Sequence, residues 1–173
     1  PLHFIFGGYP MNRLTRIGVV AAALVGSAIA FSQAGPGGPN PEAAAKSAVD
    51  NRQAVFKLIG SQSGAIGGLA RPNAPAPDLP AVARSAERIQ ILAGMIPELF
   101  ANNPTVPASV KTRALPAIWT NSADFKAKAE ALEKAAAAVA AAAKSGNVDA
   151  TKAAAGDVNK ACSNCHEGYR GPP

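Results

Sequence analysis

The strongest constraint on the fold is a seven-residue apolar repeat that persists through an alanine-rich segment of the chain. Residues 122–145 contain 12 alanines among 24 residues, and Phe125, Leu132 and Val139 recur within them every seven positions. Alanine is the best helix former, and such a repeat aligns the larger side chains along one face of a helix. The segment is therefore predicted to be a packed helix, with Ser122 as its N-cap residue.

Two earlier segments carry apolar side chains at the spacing of amphipathic helices. The first covers residues 42–68, and its predicted inward face consists of Val49, Arg52, Phe56, Ile59 and Ile66. The second covers residues 81–101, and its predicted inward face consists of Val82, Ala86, Ile89, Ala93, Ile96 and Phe100. Pro97 lies inside the second segment, so we expect it to kink or divide that helix near its end.

A fourth helix is predicted over residues 149–170, after a short turn at residues 146–147. The other two connections are longer and irregular. Residues 71–80 contain four prolines, and residues 102–121 contain three prolines together with Trp119, which we interpret as a packing anchor. Four helices joined in this way predict an all-α fold, an antiparallel four-helix bundle.

The composition agrees with this fold but raises a question about its interior. Val, Ile, Thr and aromatic residues are too sparse for an all-β protein, and a hydrophobic fraction of 48% argues against disorder. Alanine buries little area, however, and apolar burial stabilises a fold by about 25 cal/mol per Å². The interior is therefore predicted to hold something other than side chains.

The start of the chain has the pattern of an export signal. Residues 1–10 precede the first methionine and are interpreted as an upstream extension. Residues 11–34 resemble a secretory signal peptide, with two arginines, an apolar run and small-residue cleavage sites at Ala30 and Ala34. An uncleaved anchor is the alternative. We therefore expect residues 35–173 to form the mature domain, and we expect it to be periplasmic.

The charge of the chain does not indicate nucleic-acid binding. The formal net charge is +6, from 17 basic and 11 acidic residues. The basic residues alternate with acidic ones along the predicted helices and form no block interleaved with aromatic residues. We interpret these charges as solvated helix faces, and we expect no nucleic-acid partner and no membrane association after signal cleavage.

The chemistry of the chain is concentrated in one motif on the predicted last helix, Cys162-Ser163-Asn164-Cys165-His166. This is C-x-x-C-H, the attachment signal for a c-type haem. Positions i and i+3 share a helical face, so both thiols can reach the vinyl groups of one haem while His166 ligates its iron. A disulfide would be strained in a helix, a thioredoxin-like pair needs a strand–helix unit, and zinc needs four ligands.

The opposite axial position of the iron has no obvious ligand. Only seven residues follow His166, and residues 35–173 contain no second histidine. Met95 is the one methionine of that range, and we interpret it as a filler of the core. A five-coordinate iron is favoured by elimination, although a lysine or terminal amine ligand stays open.

Matches spaced through residues 42–170 extend the pattern beyond the haem motif. They comprise Asn51-Arg52-Gln53 with Phe56, Ile118-Trp119-Thr120 with Phe125-Lys126, Gly156-Asp157-Val158, Cys162 to His166, and Tyr169-Arg170. A four-helix bundle with these residues, and with C-x-x-C-H on its last helix, resembles cytochrome c′, the class II cytochrome c family. The resemblance implies one covalent haem c held by Cys162 and Cys165.

The resemblance also implies roles for individual residues around that haem. His166 is the proximal ligand of the iron, and Arg52, with Gln53 beside it, lies next to a haem propionate. Phe56 covers the opposite, distal face, where low-spin relatives carry a methionine. Tyr169 packs against the haem or a helix, and Arg170, four residues beyond His166 on the same helical face, lies beside the proximal side.

The function implied by the resemblance is that of a high-spin, five-coordinate haem protein. It binds nitric oxide (NO) and carbon monoxide (CO), exchanges single electrons with redox partner proteins, and forms a homodimer through its first two helices. The family also suggests that NO can displace His166. No enzyme site is expected, because no second histidine or other base accompanies the haem motif. The alternatives are a dedicated electron-transfer cytochrome and a gas-responsive sensory haem protein.

Overall fold

The computed structural model describes residues 40–172, which form six helices and no strand. Four of the helices are long and two are single turns. Their bounds are α1 Pro41–Gly67, α2 Leu79–Gly94, α3 Ile96–Leu99, α4 Ala117–Thr120, α5 Ser122–Lys144 and α6 Val148–Tyr169. The four long helices confirm the predicted all-α bundle.

The predicted extension at residues 1–10 and signal peptide at residues 11–34 lie outside the described residues, so both stay predictions. The predicted domain of residues 35–173 is described from residue 40 to residue 172. Over that range, no helix combines the length and the hydrophobicity needed to cross a membrane.

Contacts along the helices show that sequential long helices run antiparallel. Arg52 of α1 lies beside Leu99 of α3, and Gln62 of α1 lies beside Arg88 of α2, so residue numbers fall along α2 and α3 as they rise along α1. Lys144 of α5 forms a salt bridge with Glu87 of α2. Helices α5 and α6 are joined by a tight turn at Gly146, whose φ of 77° is in the left-handed region that glycine tolerates.

The ends of α1 and α2 follow from their sequence. The side chain of Asn40 caps α1 by accepting a hydrogen bond from the Glu42 N–H at 3.0 Å, and Pro41 occupies the first turn. Asp78 caps α2 in the same way, accepting from the Ala81 N–H at 3.1 Å. Helix α2 therefore begins two residues earlier than predicted, because Pro80 belongs to its first turn.

The predicted effect of Pro97 is confirmed as a division of the second helix. Helix α2 ends at Gly94 and α3 begins at Ile96, with Met95 between them. Pro97 has no N–H to donate one turn back, so the regular hydrogen-bond ladder stops there. The Leu99 N–H instead restarts it on the Met95 carbonyl at 3.2 Å.

The predicted inward faces of α2 and α5 are confirmed in full. Every predicted seam residue of the second helix is buried, from Val82 to Phe100. The large residues of α5 and the alanines between them are also buried: Phe125, Ala129, Leu132, Ala136, Val139 and Ala143. Helix α5 lies between α2 and α6 and packs extensively against both. Small alanine side chains permit this close packing on both sides.

Two local predictions are wrong. Met95 is 44% exposed, so it is not a filler of the core; it lies one turn beyond the exposed Ile91, on the outward face of the helix. Ser122 is the first residue of α5 rather than its N-cap, because the single turn of α4 ends immediately before it and Asn121 takes the cap position.

Candidate haem-binding site

Both cysteines of the C-x-x-C-H motif lie on α6 with their side chains half-buried and packed against the hydrophobic core. Neither is in a disulfide. Burial raises the pKa of the Cys162 thiol and of the Cys165 thiol. Two unpaired thiols one helical turn apart, both against the core, suit attachment of a single flat cofactor inside the bundle.

His166 follows directly and is half-buried. Burial lowers the pKa of His166, and the charges of Arg170 and Arg113 lower it further. All three effects favour the neutral imidazole, which is the form that ligates a metal. Within residues 40–172, no cluster of three or more Cys, His, Asp or Glu side chains is arranged to hold a metal ion.

The five aromatic residues between residues 40 and 172 form one continuous cluster. Phe100 is at its centre, with ring centroids 6.2 Å from Phe56, 6.1 Å from Trp119 and 5.1 Å from Phe125. Tyr169 extends the cluster, 5.2 Å from Phe125. The cluster reaches from α1 through α3, α4 and α5 to the end of α6. Its apolar rings provide the surface that a large planar cofactor requires.

Phe100 is a site residue that the sequence did not single out, since it was predicted only as part of a helical seam. Its place in the site could have been inferred from composition. Residues 35–173 contain only five aromatic residues, and a haem pocket needs such side chains. Trp119 is confirmed as a packing anchor: its Nε1 donates to the Phe100 carbonyl at 3.0 Å.

One side of the bundle is less tightly closed than the others. Helix α1 contacts α6 far less extensively than α5 does. One polar contact joins the two helices at a single level, where Asn159 Nδ2 donates to the Gly67 carbonyl at 3.3 Å. A cofactor carried by α6 can therefore occupy the α1–α6 side without separating the α2–α5 and α5–α6 pairs.

Arg52 is a buried cation that holds α1 to the end of α3. It is 4% exposed, and its Nε and Nη2 donate to the carbonyls of Leu99 at 2.9 Å and Asn102 at 2.7 Å. Its guanidinium carbon lies 4.6 Å from the ring centroid of Phe100 and 5.4 Å from that of Trp119. Two charge-assisted hydrogen bonds and two aromatic neighbours offset the cost of burying the charge.

We expect Arg52→Met to lower the free energy of unfolding by about 2 kcal/mol, because hydrogen bonds to charged groups contribute about 1.5 to 3 kcal/mol each and methionine retains part of the packing. Urea unfolding of the haem-containing protein measures this. Arg84→Met, at an exposed position of α2, is the matched control and should change stability by less than about 0.5 kcal/mol. Equal effects of the two variants would show that the Arg52 bonds contribute nothing specific.

Gln53 lies on the exposed side of α1, next to Arg52 in sequence. Its Nε2 donates to the Lys111 carbonyl at 2.8 Å, so it holds the connection between α3 and α4 against α1. Within the described residues this is the only hydrogen bond of the Gln53 side chain. Its predicted contact with the cofactor stays a prediction.

Tyr169 is buried at the last position of α6. Its hydroxyl donates to Asp124 Oδ2 at 2.6 Å, which joins the end of α6 to the beginning of α5. This hydrogen bond, with burial and the Asp124 charge, raises the pKa of Tyr169 from 10.0 to about 12. Phe125 packs against the same ring. Tyr169 therefore meets the prediction that it packs against a helix.

The raised pKa of Tyr169 gives the stability of the protein a dependence on alkaline pH. The stabilising effect of the protonated hydroxyl is complete below pH 10 and is lost as the pH rises towards 12. We expect the stability advantage of the wild type over Tyr169→Phe to shrink across that window, as measured by unfolding at each pH. Asp124→Asn should move the decline to lower pH. An advantage that stays constant through the window would contradict this role.

Arg170 differs from its prediction in one respect. Helix α6 ends at Tyr169, and Arg170 is extended, with φ of −121° and ψ of 119°, so it does not continue the helical face of His166. The Arg170 N–H still donates to the His166 carbonyl at 3.2 Å. Its charge lies close enough to lower the pKa of His166, which keeps it a neighbour of the proximal ligand.

An antiparallel helical bundle whose last helix carries C-x-x-C-H against an aromatic core defines a c-type haem protein of the four-helix class. The sequence model described as Cytochrome C′ matches residues 47–170. The chain therefore belongs to the cytochrome c′ family, and it carries a covalent haem c. Cys162 and Cys165 are the two cysteines of the chain.

Individual relatives agree with this assignment. The chain is 32% identical over 123 residues to cytochrome c′ of Rubrivivax gelatinosus, covering 71% of this chain and 93% of that protein. It is 34% identical over 123 residues to cytochrome c-554 of Cereibacter sphaeroides, covering 70% of this chain and 79% of that protein.

Solved structures show the same similarity. The crystal structure of cytochrome c′ from Thermochromatium tepidum matches with a TM-score of 0.64 and 30% identity, covering 74% of this chain and 97% of that chain. The nitric oxide complex of a single-residue variant of cytochrome c′ from Alcaligenes xylosoxidans matches with a TM-score of 0.61 and 29% identity, covering 75% and 97%. These similarities extend over nearly the whole of each related structure.

Proposed function

We propose that this protein is a periplasmic cytochrome with a high-spin, five-coordinate haem that binds NO and CO and takes part in one-electron transfer. The observation that carries the proposal is the shortage of axial ligands. His166 is the one histidine of residues 40–172, and Met95, the one methionine, is 44% exposed at the surface. Bound haem supplies a redox-active iron with one axial position open to a diatomic gas.

His166 and Phe56 take opposite roles in this proposal. His166 ligates the iron from α6, the helix that also carries the thioether linkages. Phe56 comes from α1, across the loosely packed side of the bundle, and its half-buried ring is held by its edge-on contact with Phe100. A phenylalanine ring cannot ligate iron, so it covers the open face and limits access to small apolar molecules.

Arg52 is proposed to bind a haem propionate. Its Nε and Nη2 each donate to a backbone carbonyl, and Nη1 forms no hydrogen bond within residues 40–172. Arg52 also lines a cavity of about 170 Å³ together with Trp119 and Pro116. A carboxylate in that cavity would receive a charge-assisted hydrogen bond from a guanidinium that is already fixed in place.

Gas binding is supported by the relatives. Structures similar to this chain include NO complexes of cytochrome c′ from Alcaligenes xylosoxidans, among them a ferrous variant with bound NO. A phenylalanine ring over the open face gives bound O₂ no hydrogen bond, and O₂ depends more on such bonds than NO and CO do. We assign no catalytic residue to this site.

The absorption spectrum of the reduced protein, with and without CO, tests the proposal. A high-spin ferrous spectrum that shifts on addition of CO or NO is the expected result. A low-spin, six-coordinate spectrum in both oxidation states would overturn it and leave a dedicated electron-transfer cytochrome. A change in sedimentation on adding CO would instead favour the gas-responsive sensory alternative.

We also propose that the protein forms a homodimer through α1 and α2. Leu58 is 52% exposed and Ile91 is 68% exposed, and Met95 lies one turn beyond Ile91 on the same face. The contact between Gln62 and Arg88 places Leu58 and Ile91 at the same level of the antiparallel pair. Large apolar side chains exposed side by side favour association with a second copy.

A charge placed at the centre of this patch tests the dimer. We expect Ile91→Glu to make the protein monomeric in sedimentation equilibrium, because a carboxylate cannot be buried there without a partner. Lys126→Glu, exposed on α5 and outside the proposed interface, is the control and should leave the dimer intact. A wild-type protein that is monomeric at all concentrations would exclude this interface.

A further inference from the structure

The last turn of α6, which carries His166, is weak by its own sequence. Gly168 lies inside this turn, and glycine costs a helix about 1 kcal/mol relative to alanine. A Cβ at Gly168 would meet no atom of another described segment within 4 Å, so packing against those segments does not explain the glycine. The helix also ends on an extended residue rather than on a left-handed glycine cap. Contacts from outside the helix therefore add to the stability of this turn.

A segment of the connection before α4 supplies that support. Residues 113–115 pair with residues 169–171 as a short antiparallel bridge centred on Ala114 and Arg170. The Leu115 N–H donates to the Tyr169 carbonyl at 3.1 Å, which satisfies one of the free carbonyls at the end of α6. The Gly171 N–H donates to the Arg113 carbonyl at 2.8 Å.

The side chain of Arg113 closes this pairing. Its Nε donates to the Gly171 carbonyl at 2.8 Å, so Arg113 both accepts from Gly171 and donates to it. Gly171 is buried, and a Cβ there would lie 3.4 Å from Leu115 Cδ2 and 3.6 Å from the Arg113 carbonyl oxygen. A Cβ at position 171 would thus be in ordinary van der Waals contact, whereas a larger, branched side chain there would press on residues 113–115.

We propose that Arg113 is a positioning residue. The pairing of residues 113–115 with residues 169–171, here called the Arg113 clasp, holds the chain beyond α6 and so controls how readily the bond between His166 and the haem iron is lost. The Arg170 N–H that caps the His166 carbonyl belongs to the clasped segment, so the clasp acts within one turn of the ligand. Without it, the last turn of α6 frays and His166 can move away. This inference rests on the proposed function for the part of it that concerns NO.

Two variants open the clasp by different means. Arg113→Ala removes the side-chain hydrogen bond, and Gly171→Val pushes the segments apart without changing any charge. Lys111→Ala is the control, because Lys111 is exposed, carries the same charge, and uses only its carbonyl in a hydrogen bond among the described residues. All three are made in the full haem-containing protein.

We expect amide hydrogen exchange of residues 168–171 to rise about fivefold in both clasp variants, as the loss of one hydrogen bond of about 1 kcal/mol implies. We also expect the iron–histidine Raman band of the ferrous protein to broaden or shift, and less NO to be needed for loss of His166. Lys111→Ala should change none of these.

Three results would overturn the proposal. Unchanged exchange in both variants would show that the clasp does not hold the turn. Faster exchange with an unchanged Raman band would show that it does not reach His166. Changes in Arg113→Ala that are absent from Gly171→Val would mean that the charge of Arg113, rather than the clasp, causes them. If the wild type binds no NO, the proposed function fails, while exchange and the Raman band still decide the clasp.

Discussion

The double substitution Cys162→Ser with Cys165→Ser is expected to abolish covalent haem attachment completely. Each thioether forms from one of these thiols, and the described structure offers both of them unpaired against the core. A serine hydroxyl is too weak a nucleophile to replace a thiol in this reaction. Extraction into acidified organic solvent should remove all haem from the variant and none from the wild type, and mass spectrometry should show the bare polypeptide.

The two residues between the cysteines provide a matched control. Ser163 and Asn164 are exposed on the outer face of α6, so their replacement by alanine leaves both thiols and the inward face unchanged. The Ser163→Ala, Asn164→Ala protein should keep its haem through extraction. Retention of haem by the double serine variant would mean that attachment does not occur at this motif.

The substitution Phe56→Ala should raise the association rate of CO with the ferrous protein about 30- to 160-fold. A ligand that reaches the covered face must first displace the Phe56 ring from its contact with Phe100. Burial of such a ring and its aromatic contact together contribute about 2 to 3 kcal/mol, and each 1.36 kcal/mol is a factor of ten in rate. Flash photolysis of the CO complex measures the rate directly.

Lys57→Ala is the control for this measurement, because Lys57 is the exposed neighbour of Phe56 on α1. It should leave the rate unchanged. Phe56→Met provides a second measurement, since a thioether at that position can ligate iron and should produce a low-spin spectrum. A normal rate in Phe56→Ala together with a high-spin spectrum in Phe56→Met would place residue 56 away from the open face.

The helical seams were predictable from the sequence, residue by residue. The predicted faces of α2 and α5 are buried throughout, because a periodic apolar pattern can bury its large side chains only by facing a partner helix. The break near Pro97 was equally predictable, since the missing N–H is a local property of proline. Such features depend on neighbours within one or two turns.

Met95, Arg170 and Phe100 show where prediction from the sequence stopped. Met95 lies one turn beyond the exposed Ile91 and off the predicted seam, so the helical pattern itself already placed it outwards. Arg170 lies past the end of α6, because the pairing with residues 113–115 competes with another helical turn. The central place of Phe100 in the aromatic cluster depends on three other chain segments. Contacts distant in sequence decided the positions of Arg170 and Phe100.

The alanine-rich repeat and the C-x-x-C-H motif by themselves determined that the chain forms a helical bundle and carries a haem c on its last helix. Both are local: helix propensity and periodicity operate within a few residues, and the haem linkages need three residues on one turn. Only the tertiary structure decided the surroundings of the site, namely the aromatic cluster, the two carbonyls that hold Arg52 and the Arg113 clasp at the end of α6. Each of these joins segments far apart in the chain, which come together only after the helices have packed.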